Sequence, residues 1–115
     1  MARSDVIIVD IPTPSDHTGH EQIGSRPAVV VQSDVNDSNL PTAMIIPFTS
    51  NLQAMRFPHT IRVNPSALNG LSAPSVLLVF QLRAIDKSRI GRIVGRLEDS
   101  YMKQLEDEAK SLLGF

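Results

Sequence analysis

The apolar positions of this chain fall into short blocks separated by polar turns. The β-branched run Val6-Ile7-Ile8-Val9 predicts a strand over Asp5–Ile11, stopped by Pro12-Thr13-Pro14-Ser15-Asp16. A long polar stretch then reaches Pro27. Further apolar blocks predict a second strand over Ala28–Gln32 and a third over Thr42–Phe48, with Ser33–Asn39 as a turn or one helical turn between them. A second polar excursion, Thr49–His59, leads to Thr60–Val63, whose alternation is that of a half-buried strand. Asn64-Pro65-Ser66 and Asn69-Gly70 are turn signals. Val76-Leu77-Leu78-Val79-Phe80 predicts a fifth strand, Ser75–Leu82, too apolar to face water on either side. Arg89–Leu97 is a sixth, with Gly91 and Gly95 marking bends or bulges. Helical spacing is found at the C-terminus, where Met102, Leu105, Ala109, Leu112 and Leu113 make one stripe between Asp99 as N-cap and Gly114 as stop.

Many short strands and one terminal helix define the class: mainly β, a small barrel or strongly twisted sheet capped by a helix. The 115 residues fit a single domain over 1–115, and 42% hydrophobic content suits a globular core. One Tyr, four Phe and no Trp make that core mostly aliphatic. The absence of Cys excludes a disulfide framework and a thiolate metal site. No apolar run is long enough to span a bilayer, and the four-residue block Val6–Val9 is too short for a signal-peptide core, so a cytoplasmic protein without membrane attachment is expected. The net charge of −1 gives no global basic footprint, yet the charges segregate. Arg83, Lys87, Arg89, Arg92 and Arg96 stand against Asp86 alone, whereas the next stretch is acidic, with Glu98, Asp99, Glu106, Asp107 and Glu108. This pattern fits either a solvated strand followed by a solvated helix, or a basic floor for an RNA backbone.

The candidate chemistry sits in His20-Glu21-Gln22-Ile23-Gly24-Ser25-Arg26-Pro27 and in Thr49-Ser50. Pro27 pushes Arg26 toward extended backbone, which aims a planar, permanently charged fork suited to phosphate oxygens. The plainer reading of Arg26 is a surface pair with Glu21. Thr49 and Ser50 end an apolar strand, where hydroxyls either cap a loop or donate to a phosphate. His20 titrates near neutrality, and Glu21 beside it can take a proton or orient Arg26. His17 and His20 give only two ligands at metal-binding spacing, so neither metal nor cofactor is expected. There is no G-x-S-x-G, P-loop or G-x-G-x-x-G. Such parts suit acid–base chemistry on a charged substrate: RNA cleaved by its own 2′-hydroxyl, with DNA resistant.

These residues resemble the MazF/PemK family of toxin endoribonucleases. The likeness rests on Gly19 through Pro27, the run Ala28–Val31, Pro47-Phe48-Thr49-Ser50-Asn51-Leu52 and Gln81 through Arg89, in order along nearly the whole chain. It implies a small SH3-like barrel with a C-terminal helix, a homodimer, and cleavage of single-stranded RNA, often messenger RNA, at short sequences. It further implies the toxin half of a type II toxin–antitoxin pair, blocked by a cognate antitoxin that threads a disordered tail into the site. Carried over, Arg26 polarises the scissile phosphate and is a candidate donor of the leaving-group proton. Thr49 holds the phosphate with help from Ser50, and His20 and Glu21 line the same pocket. Gln22, Ser50, Asn51, Arg56 and Arg83 are the expected RNA-binding positions. The PemK branch carries an acid–base pair where this chain has Leu78 and Phe80, and a Thr where it has Ala84. Proton transfer must therefore fall on Arg26, His20 or Glu21. Phe80 is either a core side chain or a platform for a base. Loss of that pair also motivates a second reading, a non-catalytic binding module that poisons gyrase by contact or sequesters an antitoxin.

Overall fold

A computed structural model of the chain describes residues 1–11, 24–33, 35 and 39–115. His17, His20, Glu21 and Gln22 lie outside the described residues, as does most of the turn before Asn39. The described elements are β1 (Asp5–Ile11), β2 (Gly24–Val30), β3 (Thr42–Thr49), β4 (Thr60–Val63), β5 (Ser75–Leu78), β6 (Arg83–Asp86), β7 (Ile90–Arg96) and α1 (Asp99–Leu113). Single 3-10 turns occupy Leu52–Arg56, Val79–Gln81 and Lys87–Arg89. The mainly β class with one C-terminal helix is thus the one the apolar blocks predict.

All seven strands join one antiparallel sheet in the order β4-β5-β3-β2-β1-β7, with β6 also on β3. β3 organises it. Along one edge it pairs with β2, Val29 opposite Ile46. Along the other it takes β6 over Thr42–Ile45 and then β5 at Phe48 and Thr49. A strand that serves two partners end to end forces the chain between them to step aside. Val79–Gln81 does so, and the Leu82 N–H closes the turn on the Val79 carbonyl at 3.1 Å. The fifth strand therefore ends at Leu78 rather than Leu82. β6 is an additional strand with only Ile85 buried, so it carries no alternation for a sequence reading to detect.

β1, β2 and β3 are buried on both faces. Val6, Val29, Ile46 and Phe48 pack with Leu77, Val63 and the helix residues Met102 and Leu105. Their alternates Ile7, Val9, Val30 and Ile45 point the other way and pack with Ala28, Ala43 and Ile85. Burying a Val, Leu, Ile or Phe side chain completely stabilises by roughly 1.5–3 kcal/mol, so these three strands supply nearly half of the described core. α1 lies over β4 and the Val79–Gln81 turn, and ends at Gly114, whose φ of 80° is the left-handed C-cap conformation. Its stripe is buried at Met102 and Leu105 only. Leu113 and Phe115 are exposed and border a depression with Val31, Ile46 and Leu82. Glu98, not Asp99, occupies the N-cap position, and its carboxylate is used elsewhere. No helix among the described residues is long and apolar enough to cross a membrane.

The sheet bends like a barrel but stays open between its edge strands β4 and β7. The loop from Asn64 to Pro74 spans the gap, where the Arg96 N–H donates to the Leu68 carbonyl at 2.8 Å.

A candidate anion cleft beneath the loop between β4 and β5

The register of β2 and β3 explains why a cleft opens. The ladder ends at Ala28 opposite Pro47. Both Pro27 and Pro47 lack an N–H, so neither can contribute a donor to prolong it. Beyond that point the strand ends separate while keeping their backbones extended. Continuing the same offset two places sets Arg26 opposite Thr49. Arg26 thus lies inside β2, two residues before the predicted strand begins, and β1 fixes it from the other side through Val9.

Beside this splayed end is a cleft of about 280 Å³. Its floor crosses four strands: Arg92 and Val94 on β7, Ile8 on β1, Arg26 and Pro27 on β2, and Phe48 at the end of β3 with Ser50 just beyond. Its wall is the loop before β5, through Gly70, Leu71, Ser72 and Ala73. The floor is apolar at its centre with Arg92 at its β7 side, and no described carboxylate lines it; Arg26, paired with Val9, borders it from a position on the other face of the sheet. A larger depression of about 460 Å³ beside α1 holds Arg3, Arg96 and Lys103, but Asp99 and Glu106 line it too, and Arg3 is ion-paired to Glu106. Of these two depressions, the smaller is the one with a cationic residue and no described carboxylate in its lining.

The wall is held by a buried amide. Asn69 is fully buried, and its Oδ1 accepts from the Ser66 and Leu71 N–H groups, both at 3.0 Å. Its Nδ2 donates to the Asn64 carbonyl at 2.9 Å and to Glu98 Oε1 at 3.1 Å. Glu98 Oε2 in turn accepts from the Ser66 hydroxyl at 3.0 Å. Removing Asn69 strips two backbone N–H groups of their partner inside the protein. Asn69→Ala should cost about 2–3 kcal/mol in urea unfolding, the penalty of leaving buried polar groups unpaired.

The other sequence candidates are distributed as follows. Thr49 is buried, and its Oγ1 accepts from the Asn51 N–H at 3.2 Å, which leaves its own hydroxyl hydrogen to donate. It lies between two cleft-lining residues without lining the cleft itself. The Asn51 side chain caps the following turn, accepting from the Gln53 N–H at 3.1 Å. Arg56 is exposed, with its guanidinium 4.8 Å from the centre of the Phe57 ring. Arg83 is half-buried on β6, opposite Ile45, and lines a separate depression with Phe80. Phe80 meets Phe57 edge-on with ring centres 5.6 Å apart, and both pack against Ala54, Val76 and Leu78. That packing gives Phe80 a core role. Among the described residues no group of three or more His, Cys, Asp or Glu side chains is placed to hold a metal ion. Three polar cleft residues, Ser72, Ser75 and Arg92, were not among the sequence candidates. Arg92 belongs to the basic stretch, but its position on the floor depends on how β7 pairs with β1.

An open, barrel-like antiparallel sheet with one C-terminal helix and an Arg- and hydroxyl-lined cleft defines a small β-protein of the toxin-like class. The chain belongs to the family of PemK-like, MazF-like toxins of type II toxin–antitoxin systems, which it matches over residues 2–113. It is 31% identical over 107 residues to endoribonuclease EndoA of Bacillus subtilis, covering 93% of this chain and 89% of that protein. It is 31% identical over 114 residues to endoribonuclease MazF of Staphylococcus saprophyticus, covering 99% and 92%. Among solved structures, MazF from Deinococcus radiodurans superposes with a TM-score of 0.78 at 22% identity, covering 100% of this chain and 97% of that one. A mycobacterial endoribonuclease in complex with its cognate antitoxin superposes at 0.75 and 15% identity, covering 100% and 96%. These structural likenesses confirm the fold.

Proposed function

We propose that this chain is an endoribonuclease that cuts single-stranded RNA at short sequences, as the toxin of a type II toxin–antitoxin pair. The observation that carries the reading is the register of β2 and β3, which continued beyond Ala28–Pro47 sets Arg26 opposite Thr49 at the strand ends. Family membership and the endoribonuclease relatives support the same chemistry. In the reaction, the 2′-oxygen forms a bond to phosphorus while the bond from phosphorus to the 5′-oxygen breaks. The products are a 2′,3′-cyclic phosphate and a 5′-hydroxyl. A base takes the 2′-hydroxyl proton and an acid delivers one to the departing 5′-oxygen.

Arg26 is assigned to the non-bridging oxygens, where negative charge builds up in the transition state. Thr49 donates its remaining hydroxyl hydrogen to the phosphate, and Ser50 assists. Leu78 and Phe80 have no proton to exchange, so the acid and base are drawn from His20, Glu21 and Arg26. Gln22, Asn51, Arg56 and Arg83 contact RNA away from the scissile bond. We assign the chain a cytoplasmic location, a homodimeric state and a cognate antitoxin as protein partner. Light scattering checks the dimer by returning twice the chain mass.

The direct test is to incubate the purified protein with a long single-stranded RNA in excess EDTA. Discrete fragments are expected, because no step above uses a metal ion. RNA left intact, both in EDTA and after addition of magnesium, would overturn the reading and favour a non-catalytic binding module.

A further inference from the structure

Asn69-Gly70 is the single Asn-Gly step in the chain. A glycine after asparagine leaves its backbone nitrogen unhindered, because no Cβ stands beside it. In a mobile chain that nitrogen attacks the asparagine Cγ. The N–Cγ bond forms, the Cγ–Nδ2 bond breaks, and ammonia departs with the proton of the glycine N–H. Water then opens the cyclic imide to aspartate or isoaspartate. The reaction therefore needs a free glycine N–H, a side-chain amide able to depart, and access for water.

The closed loop between β4 and β5 withholds all three. The Gly70 N–H donates to the Ser66 carbonyl at 3.1 Å. The Asn69 Nδ2 is held by the Asn64 carbonyl and by Glu98 Oε1. Asn69 has no exposed surface, and its own N–H donates to the Ser66 hydroxyl at 3.0 Å. Gly70 is wedged against the Val94 carbonyl, so the loop cannot turn in place to bring its nitrogen over Cγ. The two N–H groups on Asn69 Oδ1 polarise the amide carbon and favour attack. Protection thus rests on the occupied Gly70 N–H and the exclusion of water.

The product does not fit where the amide was. Deamidation replaces Nδ2, a donor, by a carboxylate oxygen. That oxygen would face the Asn64 carbonyl at 2.9 Å and Glu98 Oε1 at 3.1 Å, both acceptors and the second a carboxylate. Isoaspartate lengthens the backbone by one methylene at a place where even a Cβ on Gly95 would stand 2.4 Å from the Asn69 carbonyl oxygen.

We infer that Asn69 is a latent deamidation site, protected by the closed loop between β4 and β5, and that its conversion to aspartate or isoaspartate when the loop opens prevents the loop from closing again. The change is covalent and so persists after the chain returns to folding conditions. The inference does not depend on the endoribonuclease reading.

The test ages the full chain at mildly alkaline pH, folded in buffer or unfolded in guanidinium chloride, and follows the tryptic peptide after Arg62 by the mass gained as NH2 becomes OH. Asn64 lies in the same peptide, but Pro65 has no N–H to attack it, and fragmentation places the change at Asn69. Opening the loop breaks buried hydrogen bonds and confines the open form to about one molecule in a hundred or fewer, so the folded chain should deamidate about a hundredfold more slowly than the unfolded one, or slower still. Returned to buffer, the deamidated fraction should melt earlier than the unmodified fraction. Asn69→Asp, the product made in advance, should unfold at lower denaturant than wild type. Glu98→Gln should recover part of that loss in a double-mutant cycle, because the new amide can donate to the new carboxylate. If Asn69→Asp does not fold at all, its folding in the presence of Glu98→Gln gives the same result. Equal deamidation rates in the folded and unfolded chain, or wild-type melting of the deamidated fraction, would overturn the inference.

Discussion

Arg26→Ala should lower kcat for RNA cleavage about a thousandfold while leaving the fold in place. Removing a single preorganised donor from a developing oxyanion typically costs about 10²–10³ in rate, and a full positive charge stands at the upper end. Arg26 lies on a strand whose backbone is fixed on one side by Val9 and is followed by Pro27. Its loss therefore deletes charge without deleting core. Arg26→Lys should recover only part of the activity, because a point charge cannot present the planar fork. Matched urea midpoints for both variants and wild type, with stopped-flow or gel kinetics on the same RNA, check the expectation. Retained cleavage in Arg26→Ala would remove this residue from the mechanism.

The largest structural effect is expected at Gly70. Its φ of +69° is left-handed, and a Cβ there would stand 2.1 Å from the Val94 carbonyl oxygen, a backbone atom that cannot swing away. Gly95 completes the same contact, since its Cβ would lie 2.4 Å from the Asn69 carbonyl. The wall loop and β7 thus touch backbone to backbone, and the cleft closes only because neither residue carries a side chain. Gly70→Ala combines a left-handed penalty of about 1–2 kcal/mol with an overpacking cost of about 1–3 kcal/mol. A loss of about 3–4 kcal/mol is expected, a large fraction of the roughly 5–15 kcal/mol that holds such a domain folded. Urea denaturation measures it. Because the wall must move away from Val94, KM for RNA should rise as well, which a loss of stability alone leaves unchanged at temperatures where the protein is folded.

What could be read from the residues and what could not divide along local and long-range lines. β1 and β4 begin and end where the apolar pattern places them, since Pro12 and Asn64-Pro65 stop the pattern just beyond their last residues. The end of β5 was hidden. Leu78-Val79-Phe80 is one apolar run, but the chain turns within it because β3 changes partners there. β6 was hidden for the opposite reason, having one buried residue in four. In the candidate site, Arg26, Thr49 and Ser50 stood out by residue type and by their places at strand ends. Arg92 did not, because nothing local separates it from Arg89 or Arg96. Only the bulged register with β1 puts it on the cleft floor. Asn69 was visible as half of a turn signal, yet its four hydrogen bonds reach from Asn64 to Glu98 and depend on the closed fold.

The most direct measurement is cleavage of two oligonucleotides that differ by one oxygen, an all-ribose strand and the same strand with a single 2′-deoxy sugar on the 5′ side of the cut, followed by mass spectrometry of the ends. The account predicts that the ribose strand yields a 2′,3′-cyclic phosphate and a 5′-hydroxyl, and that the substituted strand survives at that site. Equal cutting of both strands, or 5′-phosphate ends, would contradict it.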